Sequence, residues 1–374
     1  MGSANTHFSY EGINNLLLKI TCLFWLAAKL ISWRIWTTYR ILPTAPIFQW
    51  LDRVPPLAHT LLFGLSIFLL CWQLFNKNRG ALLCLLATEI FSCLLDQNRW
   101  QPWEYQCLFI VFIFISNNKR PALIMSCFVF VLASTYIYSG LHKLNYDFLQ
   151  ITWRQMILHS FFKVPFYVSA HRLIYFSGYL LGLAELLAGV GLLFHKTKKA
   201  ASAALILMHL FILILIGPGG LNYNAVVWPW NIAMIFYLYF LFFKNIEGKA
   251  IFTGVFHGWN KLIFIFWGML PALSFAGAWD SYLSSGLYSG KSPKMIISVR
   301  DTSKCLPLQP FCKTGGAKLS YGQATINLKD WSITETNVVA YPEVRVYKIM
   351  QQKLEKQYAE AGLKCTIFIR GAQP

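Results

Sequence analysis

Acidic residues are scarce in this 374-residue chain: 15 Asp and Glu stand against 33 Lys and Arg, and charged residues of both signs make up only 13%. With so few ionisable groups inside apolar segments, and no inverted repeat carrying paired broken helices, an ion-coupled transporter is disfavoured. No CxxC occurs and no two histidines share a helix face at i, i+4, so no metal centre is expected. A cleavable secretory signal is also missing: the first 12 residues are polar without a basic cluster, and the apolar stretch after them lacks a small-residue cleavage site. The first apolar helix is therefore expected to stay as an anchor. The GPGG run at Gly217 to Gly220 lacks the spacing and strand-helix context of a phosphate loop and suits a plain turn. The formal charge of +18 sits in short clusters between apolar runs and not along one soluble face, so no nucleic-acid partner is expected.

What the chain does have is apolar length. Hydrophobic residues make up 56% and aromatic ones 17%, in runs near or above the roughly 20 residues that cross a bilayer. This composition predicts an all-α polytopic membrane bundle over 1–280, in contact with membrane lipid, followed by a small polar α+β domain over 290–374. Nine spans are expected, at about 14–33, 56–75, 80–96, 104–116, 121–141, 172–194, 200–217, 225–243 and 260–278. Nine spans put all the basic clusters (Lys77 with Arg79, Lys119 with Arg120, Lys196 with Lys198 and Lys199, and Lys244 with Lys249 and Lys261) on one side. The positive-inside rule makes that side cytoplasmic. The N-terminus is then inside, and the loops 34–55, 97–103, 142–171 and 218–224 and the tail face the periplasm of a bacterial inner membrane, or the lumen of an endomembrane. The Trp, Tyr and Pro of those loops have the chemistry of a headgroup-level belt. Cys22, Cys71, Cys84, Cys93, Cys107 and Cys127 lie in or beside apolar segments and read as buried free thiols.

In the tail, KMIISV (Lys294 to Val299), ATINLKDWSI (Ala324 to Ile333) and KCTIFIRG (Lys364 to Gly371) have strand character. The run from Pro342 to Gly362 reads as a helix. On it, Tyr347, Met350, Leu354 and Tyr358 recur at helical spacing, leaving Lys348, Lys353 and Lys356 to face water. Cys305 and Cys312 enclose a Pro-rich loop and are expected to form a disulfide in an oxidising compartment, with Cys365 left over.

Charged groups inside spans are costly, so each is a functional candidate with a duller alternative beside it. Lys19 and Lys29 can snorkel from the first helix. Glu89 and Glu185 sit in otherwise apolar helices and must pair with a cation, stay protonated or border a polar cavity. His209 suits either a packed hydrogen-bonding residue or part of a site. Lys143 at the desolvated end of a helix can act as a proton acceptor or simply snorkel. His142 next to it points about 100° away, so at most one of the two enters a given pocket.

The stretch YIYSGLHKLNYDFL, from Tyr136 to Leu149, resembles a segment of vitamin K-dependent gamma-glutamyl carboxylase and its bacterial relatives, the horizontally transferred transmembrane (HTTM) superfamily. There a Tyr-rich helix ends in Gly-hydrophobic-Lys-Lys-Leu-Asp-x-Asp-Trp. DQNRWQPW, Asp96 to Trp103, is similar to a motif of the bacterial members, and the order of parts agrees over about residues 10–280. The resemblance implies that Lys143 is the base that deprotonates a hydroquinone, that His209 assists, and that His142 and Glu185 belong to the same catalytic group. It also implies that Tyr136, Tyr138, Asp147 and Trp228 bind a quinone-like cofactor. His142 and Asn145 replace the motif's first Lys and first Asp, and a tail of roughly 85 residues stands where the carboxylase has its large lumenal domain. These departures leave quinol or lipophilic-acid chemistry as the expectation and put glutamate carboxylation in doubt. Two other functions compete: a non-catalytic envelope scaffold whose tail docks an extracytoplasmic protein, and a redox subunit resembling DoxX-type quinone-linked proteins.

Overall fold

A computed structural model of the chain describes residues 10–243, 251–288, 290, 292–299, 318–320, 323–360 and 365–371. Most of these are helical. The principal helices are α1 (Tyr10–Ile31), α2 (Pro56–Phe75), α3 (Arg79–Leu95), α4 (Pro102–Ser116), α5 (Pro121–His142), α6 (Phe148–Phe161), α7 (Arg172–Gly191), α8 (Lys198–Ile216), α9 (Val227–Phe242) and α10 (Gly258–Ala276). Six of them, α1, α2, α5, α7, α8 and α10, are long and apolar enough to cross a membrane. The apolar segments expected around α3, α4 and α9 are helical too, but shorter. At 15 residues α4 is about 22 Å long against a hydrocarbon core of about 30 Å, and most of its side chains are buried in protein.

The segment 142–171, expected as a loop, is largely helical. In FLQITWRQMILHSF the apolar residues recur at helical spacing, and Phe148, Leu149, Ile157 and Leu158 turn inward and are buried. This helix is wound with i→i+5 hydrogen bonds, the wide-turn form that usually appears only as short bulges.

The chain divides into two compact units. The first comprises 1–28, 67–86 and 102–290. Its tightest helix pair is α5 with α7, where glycines let backbones meet: a Cβ on Gly140 would lie 2.5 Å from the Leu186 nitrogen, and one on Gly189 would lie 2.8 Å from the Ile137 nitrogen. Such small-residue contacts are what bring helices together where lipid removes the hydrophobic drive.

The second unit comprises 29–66, 87–101 and 291–374. Its antiparallel sheet is formed by β1 (Lys294–Val299), β2 (Lys318–Ser320), β3 (Gln323–Asn327) and β4 (Cys365–Arg370) in the order β2-β3-β1-β4, with Ile297 opposite both Ile326 and Ile367. Helices α11 (Leu328–Thr336) and α12 (Val344–Glu360) cover the face that buries Met295, Ile297, Val299 and Ile326. The strand expected over 324–333 stops at Asn327, because the Asn327 side chain accepts the Lys329 N–H and caps α11. On α12, Tyr347, Met350, Leu354 and Tyr358 are buried as their spacing predicts. Lys353 is not left to water: its ammonium donates to the Thr44 carbonyl at 2.8 Å and pairs with Asp52.

Cys305 and Cys312 lie outside the described residues. Cys22, Cys93, Cys107 and Cys127 are buried free thiols, Cys71 is half-buried and Cys84 is exposed. Cys365 is free and half-buried. The expected aromatic belt is less exposed than its composition suggested: Trp50 is 63% exposed, whereas Trp103 is buried and Trp100, Trp228 and Trp230 are half-buried.

Candidate functional site

Ser139 on α5 lies one turn before Lys143, which caps the C-terminus of that helix, and Tyr136 is a further turn back on the same side. On α7, Glu185 lies between the contact glycines Gly182 and Gly189, so the packing that joins the two helices also brings its carboxylate to α5. Lys143 forms an ion pair with Glu185 and donates to Ser139 Oγ at 2.9 Å. The two charged side chains are 15% and 5% exposed. Lys143 therefore does not snorkel, and Glu185 has the cation it requires.

A second hydrogen-bonded chain ties three helices together. Tyr136 is buried on α5, and its hydroxyl lies 2.8 Å from His209 Nε2 on α8. His209 Nδ1 lies 2.7 Å from Asn231 Oδ1 on α9, and Asn231 Nδ2 donates to the Val227 carbonyl at 2.8 Å. This last bond fixes the amide, so Nδ1 of a neutral His209 carries the proton and Nε2 accepts from Tyr136. Lys143 and Glu185 are near enough to interact electrostatically with His209 and Tyr136.

The other expected site residues fall elsewhere. His142 turns away from Lys143, as their angular separation requires: it stacks on Phe275 at 4.5 Å, and Nε2 lies 3.1 Å from Ser274 Oγ. The Tyr138 hydroxyl donates to the Gly268 carbonyl, so it faces α10 and not the ion pair. Asp147 stands at the start of α6, where its side chain provides no capping bond. Trp228, one turn before Asn231 on α9, has a buried indole N–H with no acceptor among the described residues. Two members of the site are absent from the sequence-level expectation, Ser139 and Asn231. For Ser139 the signal is helical spacing, four residues before Lys143; Asn231 lies in a segment from which the sequence singles out only Trp228.

The second unit holds a buried polar network of its own. Lys29 and Glu89 are 2.6 Å apart and fully buried, with Ser66 donating to the other carboxylate oxygen and the Lys29 ammonium 3.1 Å from the Trp36 ring centroid. Lys29 is a fully buried partner and, like the half-buried Lys143, not a snorkelling residue; Lys19 is exposed. DQNRWQPW proves to be a knot of side-chain bonds. Asp96 accepts the N–H groups of Ala45 and Asn98 and pairs with Arg40, while Asn98 Oδ1 accepts the Tyr341 N–H at 3.0 Å. Arg99 donates to the carbonyls of Ile35, Ser92 and Trp36 and to His59 Nδ1. Burial lowers the Arg99 pKa to about 10, against the opposing pull of Asp96.

Two cavities stand out, one of about 220 Å³ in the second unit and one of about 10 Å³ in the first, beside Thr21, Trp25 and Tyr237. Neither borders Lys143, Glu185 or His209. Among the described residues no group of three or more His, Cys, Asp or Glu is arranged to hold a metal ion. No protein-family profile, curated protein or solved structure matches the chain.

Proposed function

We propose that the helical bundle is an HTTM-like, carboxylase-like membrane domain that accepts a proton from a lipophilic acid of the quinol class, with Lys143 and Glu185 as the accepting pair. The observation that carries this reading is the Lys143–Glu185 ion pair, set almost out of solvent within a helix bundle. An intramembrane charged pair of this kind marks proton or substrate chemistry more often than structure alone.

A quinol would supply an acidic O–H; the chain supplies the rest. The proton is shared within the Lys143–Glu185 pair, whose carboxylate offers the acceptor oxygens. Ser139 holds the ammonium, and the pair is only 15% and 5% exposed. Tyr136, held by His209 and Asn231, keeps its oxygen lone pairs as an acceptor. Trp228 fits a carbonyl-bearing ligand, because its buried N–H needs an acceptor and a quinone-type oxygen provides one. His142, Tyr138 and Asp147 have no part in the step.

The finer topology belongs to the same proposal: nine spans, N-terminus inside, with the tail facing the periplasm or lumen. The tail's bonds to Thr44 and Gln101, in two of the expected outer loops, support this side assignment. The competing reading is a non-catalytic scaffold.

The test is a soluble hydroquinone analogue added to full-length protein in detergent, with the analogue's absorption band read for ionisation on binding. Lys143→Met alone would leave Glu185 buried and unpaired, at a cost of about 3–5 kcal/mol. The paired variant Lys143→Met/Glu185→Gln avoids this and is the informative one. Wild type should bind and ionise the analogue, and the paired variant should bind without ionising it. Ionisation unchanged in a folded paired variant, or no binding by wild type, rejects the proposal and leaves the scaffold.

A further inference from the structure

The cavity of about 220 Å³ lies where α1 ends, and its walls include Ile31, Trp33, Arg34, Thr334, Glu335 and Asn337. At about 30 Å³ per water it holds on the order of seven waters, enough for a phosphate with a short substituent and too little for a large ligand. Its chemistry is uneven. Arg34 is exposed, and its Nη1 donates to the Glu335 carbonyl at 3.4 Å. Its other N–H groups meet no acceptor, and it has no anionic partner among the described residues. The one nearby acid is committed elsewhere: the Glu335 carboxylate accepts the N–H groups of Ile41 and Leu42 and the indole N–H of Trp331. That leaves a guanidinium without an anion facing a polar cleft.

The cleft also adjoins exposed apolar surface. Leu30 is 52% exposed and Trp33 41% exposed, immediately beside Arg34 at the end of a helix long and apolar enough to cross a membrane. An Arg with a Trp at such a helix end sits at headgroup depth. On the tail side, Thr334 and Asn337 are exposed polar residues at the C-terminus of α11, whose last carbonyls favour a donor or a cation. A lipid headgroup offers this combination: a phosphate for Arg34, a hydroxyl or ammonium for the helix end, and acyl carbons for Leu30.

We propose that this cleft binds the phosphate of a glycerophospholipid headgroup, with Arg34 as its anion-binding residue. The inference rests on α1 being a membrane helix and not on chemistry at Lys143, so the two proposals fail separately.

Native mass spectrometry of the full-length protein released from detergent provides the test, with phosphatidylethanolamine, diacylglycerol or inorganic phosphate added in separate arms. Wild type should retain phosphatidylethanolamine well above diacylglycerol. Arg34→Gln should lower its occupancy about tenfold, the scale of a lost charge-assisted hydrogen bond. Thr334→Glu, at an exposed position, should do the same by repulsion, and Arg34→Lys should recover part of the loss. Equal retention by wild type and Arg34→Gln overturns the proposal, as does diacylglycerol binding as well as the phospholipid. If inorganic phosphate binds and the phospholipid does not, the site is for a soluble anion and the lipid assignment falls.

Discussion

Arg99 shows how much bonding a cation demands once it leaves water: three carbonyls and a histidine nitrogen surround it, and it is fully buried. Asp96 beside it is the anionic counterpart and gives the second unit a pH dependence. Burial by itself would raise the Asp96 pKa, but the charges of Arg40 and Arg99 and the Ala45 N–H outweigh it and hold the carboxyl below its ordinary value. The unfolded chain then binds a proton at higher pH than the folded one, so the stabilisation is complete above about pH 4 and is lost as pH falls below it. Hydrogen exchange of the Tyr341 N–H and the loop around Ala45 should accelerate in acid, and Asp96→Asn should flatten that profile; a wild-type profile already flat from pH 3 to 6 would refute this. At this scale the sequence was half legible. Glu89 and Glu185 stood out because an acid in an apolar helix needs an explanation, and pairing was among the options. Their partners did not, since Lys29 and Lys143 lie 60 and 42 residues away and only packing brings them together.

Helix positions follow from apolar length alone, because every backbone polar group in a bilayer must be bonded within its own segment. That is why helices occur where they were expected. What composition does not encode is the close approach of α5 and α7, which depends on Gly140, Gly182 and Gly189 meeting across the interface. Gly140→Ala should force the two backbones apart and cost about 1–3 kcal/mol, the range of overpacking in a filled core. It should also weaken the Lys143–Glu185 pair. Gly64→Ala on α2 is the matched control, because a Cβ there meets nothing within 4 Å. It should leave the unfolding midpoint unchanged or raise it slightly. Equal midpoints for the two variants in detergent would show that the glycine contact does not hold the helices. The capped end of β3 and the winding of α6 were missed for a related reason: a short apolar run suits strand, helix or loop until a cap or a buried face decides it.

For the whole molecule the open quantity is the number of crossings, and hydrogen bonds within the second unit constrain it. Asp96 accepts the Ala45 N–H, so in the proposed bundle the loops before α2 and after α3 share a side of the membrane. A shared side requires α3 to cross whenever α2 does, although α3 has only 17 residues. Lys353 of the tail donates to Thr44, which puts the tail on that same side, and α1 crosses once just before it. In the nine-span proposal the N-terminus and the tail are then on opposite faces, and α4 and α9 cross together or not at all. Crossing by the short α4 costs little, because a helix buried in protein does not present its length to lipid. Counting the six long helices alone would instead put both ends on one face. Reporter fusions at the two termini separate these cases: a reporter active only in the cytoplasm should work at the N-terminus and fail at the C-terminus, and one active only outside should do the reverse. Fusions at the two ends that report the same compartment would refute the proposed nine-span arrangement and, with it, the proposal that the Lys143 site opens outward.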